Sequence, residues 1–218
     1  MKRIFLPLFS LIMFVNGYSQ VKEITIKNID LRITERFTVL KNEKKIRQGS
    51  YEKYFVIPQK NKNILIEKGQ YETNKKVGIW TYFDKKGNIS LQYSFDNDSV
   101  LIYNGEQMYN QRINRPLLYL GSMYEIIHIC NFGLRLSPEA QMLGQSGKVI
   151  VYIKLSENGE VIEYVLKNGI NKLLDNEAIR VAKLIPQSWL PAINNGEHIK
   201  SSYRMPITFV MLGVINKF

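Results

Sequence analysis

From Val21 to Tyr103 apolar residues alternate with polar ones in short runs, and each run is bounded by Asn, Gly, Asp or Lys. Runs of that length and period fit β-strands and hairpins and leave no room for long helices. Lysines cluster at 41–47, 59–68 and 74–76, between the strand-like runs. They read as solvated turn residues rather than as a nucleic-acid surface, so no nucleic-acid partner is expected.

The second half is patterned differently. VIVYIKL (149–155) alternates, ENGE (157–160) supplies an Asn-Gly turn, and VIEYVLK (161–167) alternates again, which predicts a β-hairpin. LLDNEAIRVAKLIPQ follows, with Leu173, Leu174, Ala178, Val181, Ala182 and Ile185 at helical spacing and Pro186 closing the helix. HIKSSYRMPITFVM (198–211) predicts a last strand. Upstream, Ser122 and Glu125 form a capping-box pattern ahead of Ile126, Ile127 and Ile129. The order is therefore helix, strand, strand, helix, strand. The polar stretch 104–116, ended by Pro116, reads as a connector that few contacts should bridge. The predicted fold class is α+β, with a small antiparallel β-hairpin module over 20–103 and a mixed domain over 117–218.

The chain has 218 residues, 45% of them hydrophobic and 22% charged, which excludes disorder throughout. Its single cysteine, Cys130, and two histidines, His128 and His198, cannot by themselves build a disulfide framework, a four-ligand zinc site or an iron–sulfur centre. No metal, cofactor or catalytic residue is expected. His128 and Cys130 are two apart on the predicted helix, so their side chains diverge and read as core residues. Asp175 and Glu177 suit the positive end of a helix rather than acid–base chemistry, and Arg180 is placed to tie that helix to a neighbour.

Residues 1–19 read as a secretory signal, with Lys2 and Arg3 before an apolar run from Ile4 to Val15. That run is short of the ~20 residues a membrane-spanning helix needs. The mature chain is expected to begin near Gln20, in the periplasm, touching membrane by proximity only. Losing Lys2 and Arg3 lowers the formal net charge from +11 to +9.

Two resemblances follow from the motifs. Gly49-Ser50-Tyr51 recurs as Gly69-Gln70-Tyr71, and the second copy continues through Gly78, Trp80, Tyr82, Phe83, Asp84 and Gly87, with the turn NKKVG (74–78) joining two strands. This resembles the MORN-type repeat of YwqK-family proteins. The first copy keeps Gly49, Tyr51 and Tyr54 without a Gly-x-Trp. Trp80 and Tyr82, two apart on a strand, read as packing residues of the small sheet.

Over residues 117–211 a string of motifs runs Pro138 and Ala140, Gly147 and Val149, Glu157 and Gly159, then Leu174-Asp175-x-Glu177-Ala178-x-Arg180. It ends with Trp189-x-Pro191-Ala192, Asn195-Gly196 and Tyr203-x-x-Pro206-Ile207-x-Phe209. In that order the motifs resemble the TonB family C-terminal domain. The resemblance implies binding rather than chemistry. TonB C-terminal domains add an extended segment of an outer-membrane transporter to their sheet as a strand, and transmit force from an inner-membrane motor.

Pro206 cannot donate to a ladder and so marks an edge strand. Ile199, Lys200, Ser201, Ser202, Tyr203, Arg204 and Met205 are the expected partner-binding edge, with Lys200, Ser202 and Arg204 on one face and Tyr203, Met205 and Ile207 on the other. The basic face favours an acidic peptide, and the open edge permits strand exchange into a homodimer. The expected function is an exported periplasmic adaptor that docks segments of outer-membrane or envelope proteins. The alternative is an energy transducer anchored in the inner membrane by residues 4–15 and coupling the proton-motive force to outer-membrane transport.

Overall fold

The computed structural model describes residues 20–57, 62–108 and 113–210. The expected signal at 1–19 lies outside the described residues. The architecture is mixed, mostly antiparallel strands with few helices, as an α+β fold requires.

The first half forms one antiparallel sheet built of successive hairpins. Eight strands lie side by side in chain order: β1 (Val21–Asn28), β2 (Ile33–Leu40), β3 (Arg47–Ile57), β4 (Lys62–Glu72), β5 (Lys75–Phe83), β6 (Ile89–Ser94), β7 (Ser99–Tyr103) and β8 (Glu106–Gln107). The last belongs to the stretch read as connector. The β4–β5 turn is Thr73-Asn74, both at positive φ, so it falls ahead of the expected NKKVG turn. Gly78 instead continues β5. Trp80 and Tyr82 are fully buried as packing residues. Gly69 faces the Trp80 ring so closely that a Cβ there would lie 2.3 Å from it.

The second half opens with β9 (Leu118–Tyr119) and the helices α1 (Met123–Phe132) and α2 (Pro138–Met142). A hairpin of β10 (Gly147–Leu155) and β11 (Val161–Lys167) leads to α3 (Lys172–Ala182). Its loop is longer than the two-residue turn expected. Ser156 Oγ accepts from the backbone N–H groups of Asn158 and Glu160, and Gly159 takes the positive φ. The predicted last strand is interrupted. β12 (Trp189–Leu190) pairs β9, while β13 (Ala192–Asn194) and β14 (Glu197–Ile199) form a separate hairpin. The turn of that hairpin is Asn195-Gly196, both at positive φ. Only after Lys200 does β15 (Ser201–Phe209) begin.

α3 buries Leu174, Ala178, Val181 and Ala182 against the inner face of a three-stranded sheet ordered β11-β10-β15. The expectation of few contacts across the connector does not hold. Leu118, Leu120 and Leu190 complete the core of the N-terminal sheet, and Tyr124 packs with Ile33, Phe55 and Ile66.

Candidate functional site

β15 lies at the edge of its sheet, and its burial alternates. Met205, Ile207 and Phe209 point into the core, while Ser202, Arg204, Pro206 and Thr208 are exposed. Its ladder with β10 runs from Leu155↔Ser201 to Gly147↔Phe209 without a register shift and includes Ile150↔Pro206. Proline has no N–H to give, so uninterrupted pairing puts it where the backbone N–H side faces away from β10. Hydrogen-bonding direction alternates along an antiparallel strand, so Ser202 and Arg204 present their backbone outward and Tyr203 inward. The expected edge 199–205 is thus divided. Ile199 pairs Ala192 in β14, Lys200 lies between strands, and Ser201, Ser202, Tyr203, Arg204 and Met205 lie on β15.

The remaining motif residues hold this edge in place. Asn171 caps α3 by accepting from the N–H groups of Leu173 and Leu174, while Asp175 reaches back to accept from Ile170 N–H at 2.9 Å. Glu177 lies further along α3 and accepts from Arg180 Nε at 2.7 Å. Arg180 also donates to Gly133 O at the end of α1. Trp189 is buried between Tyr119 and Tyr203, ring centroids 4.9 and 5.1 Å away, and so links β9, β12 and the edge strand. Gly159 abuts Trp189 O and Pro191, and a Cβ there would come within 2.5 Å of that oxygen. Phe209 ends the strand in the core.

A cluster that sequence reasoning missed sits between the two halves. Lys53 Nζ lies 3.0 Å from Glu67 Oε2 and 3.1 Å from Glu125 Oε1, and Lys76 Nζ lies 2.9 Å from Glu67 Oε1. Tyr119 donates its hydroxyl to Glu125 at 3.1 Å. Glu125 therefore does not close the expected capping box. Ser122 alone caps α1, accepting from Tyr124 N–H, and donates its hydroxyl to Phe83 O across the halves. Burial pushes the Glu67 carboxyl up, but Lys53 and Lys76 outweigh it and hold the group below the usual carboxylate range. Burial wins at Glu125, which is raised despite Lys53. Lys53 also works against burial, and its two carboxylates keep its ammonium well above the ordinary value. The signal for this cluster was parity: Lys53 stands between Tyr51 and Phe55 on the inward face of β3 and pairs Glu67 across the strands. With two cations against two anions in mutual contact, the arrangement clamps the halves together.

Neither His128 nor Cys130 joins a reactive set. His128 stacks on Phe55 at 4.0 Å and burial lowers its pKa, while burial pushes the Cys130 thiol up to about 11, leaving it protonated at neutral pH. Among the described residues, no group of three or more His, Cys, Asp or Glu side chains is placed to hold a metal ion. No helix of the described residues is long and apolar enough to cross a membrane.

Residues 134–211 match the family model described as the Gram-negative bacterial TonB protein C-terminal. The match takes in every element from α2 to β15, and domains of that description interact with outer-membrane proteins in transport. No curated protein and no solved structure matches the chain significantly.

Proposed function

We propose that this chain is an exported periplasmic adaptor that docks extended segments of outer-membrane or envelope proteins by strand addition to β15. The observation that carries the reading is the edge position of β15 within a stretch that matches the TonB C-terminal model. Strand addition draws affinity from main-chain bonds along the edge, and Ser202 and Arg204 supply outward-facing backbone for them. Exposed Lys200 and Arg204 favour an acidic segment. Pro206 limits the docking stretch to the first half of β15, because it offers no N–H beyond that point.

Ser202→Pro tests the reading, with titration of synthetic peptides copied from transporter plug segments. One intermolecular hydrogen bond is lost and the proline ring obstructs the arriving strand. Binding should weaken by about 1 kcal/mol or more, roughly fivefold, while circular dichroism stays unchanged. Unchanged affinity in a folded variant overturns strand addition at this edge. Mass spectrometry of the mature N-terminus then separates adaptor from transducer. A start near Gln20 supports the adaptor, and an intact Met1 in the inner membrane supports an anchored transducer.

A further inference from the structure

Beside the first half of β15 lies a small cavity of about 120 Å³, lined chiefly by apolar surface. Its walls come from both halves of the chain. Tyr103 ends β7 of the N-terminal sheet, Leu117 and Gly121 flank β9, Met123 opens α1, and Trp189 and Tyr203 complete it from the C-terminal part. Met123 is 43% exposed and forms the rim. Gly121, also in the lining, packs flat against Tyr119, where a Cβ would lie 2.2 Å from the ring.

Resting on the docking mode above, we propose that this cavity receives one branched aliphatic side chain of the docked strand, so that the N-terminal sheet takes part in choosing the partner. A side chain directly opposite another on a neighbouring strand lies about 5 Å away on the same face. A residue docked opposite Tyr203 therefore enters beside the Tyr203 ring, where the cavity is. Apolar cavities of ~150 Å³ accept a benzene-sized guest, so this one suits leucine or isoleucine. The neighbours of that residue along the docked strand point to the other face, opposite exposed Ser202 and Arg204, with Lys200 beyond Ser202 and 3.7 Å from Glu157. Charge complementarity there calls for Asp or Glu. The partner is thus an extended segment in which a single aliphatic residue is flanked on both sides by acidic ones.

The experiment uses the full chain and two fluorescent eight-residue peptides of alternating Asp and Ser, with Leu or Ala replacing one central Ser. Anisotropy should give about tenfold tighter binding for the Leu peptide. Met123→Ser, at an exposed first helical position, should bring the two affinities together without weakening the Ala peptide, and Ser202→Pro should weaken both peptides alike. Equal affinities for the unaltered chain, both lost on Ser202→Pro, overturn the cavity and leave edge docking standing. Binding of both peptides left unweakened by Ser202→Pro, with the Leu preference intact, overturns the cavity as part of strand docking and the docking mode with it. Absence of binding by both peptides at about 1 mM overturns both readings.

Discussion

Removal of Lys53 should cost as much as loss of a large core side chain. Lys53→Met keeps the length of the side chain but leaves Glu67 and Glu125 facing each other without their shared cation. Breaking a buried pair from one side costs about 3–5 kcal/mol, so the urea midpoint should fall sharply. The pH dependence separates the two carboxylates. Glu67 is held below its unfolded value, so its stabilisation is present above that value and is lost as pH falls through the folded one. Glu125 is raised, so its contribution runs the other way: favourable below its unfolded value and lost as pH rises through the folded one. Glu67→Gln should flatten the acid limb of the stability curve, and Glu125→Gln should leave it as steep or steeper, both read from denaturation midpoints at neutral pH and near pH 3. Gly69→Ala should destabilise by about 1–3 kcal/mol, because the Trp80 ring that occupies the Cβ position is fully buried and cannot yield.

At the scale of elements, α3 and the Trp189 segment anchor the edge strand. Leu174→Ala should cost about 2–5 kcal/mol and Trp189→Ala about 3–5, measured by thermal or chemical melting. Both positions were legible in the sequence, because helical spacing and an ordered string of motifs are local patterns. The β10–β11 hairpin was legible for the same reason. The β4–β5 turn was not, since Thr73 and Asn74 adopt positive φ without a glycine while Gly78 sits within a strand. Nor was the break at Lys200, because apolar alternation runs through it; the separation comes from Ile199 pairing Ala192 instead of β10. Of the candidate edge, the sequence showed the strand and its faces, and the outward direction of Ser202 required the register of Pro206 against Ile150. Lys53 and Glu125 stayed hidden because their burial depends on a partner 72 residues away.

For the whole molecule, the shared interior alters what a truncation should do. A fragment spanning 115–218 would keep the α3-centred core but would expose Leu118, Leu120 and Leu190 and strip Glu125 of Lys53 and His128 of Phe55. It should melt well below the full chain, which should itself unfold in a single calorimetric transition; two separate transitions in the full chain would show that the halves are independent. The strictly sequential order of the eight-stranded sheet carries a consequence in time. Each of its strands pairs only with its neighbours in the chain, so every closure is a short loop, whereas β15 must find β10 across β11, α3, β12 and the β13–β14 hairpin. Local closures are fast and long ones slow. The N-terminal sheet is then assembled early and offers a ready template, and the edge strand is the last piece to lock. Until β15 locks, that side of β10 is an open edge, and any extended segment present in the interval competes with β15 for it, which makes the interval a folding hazard.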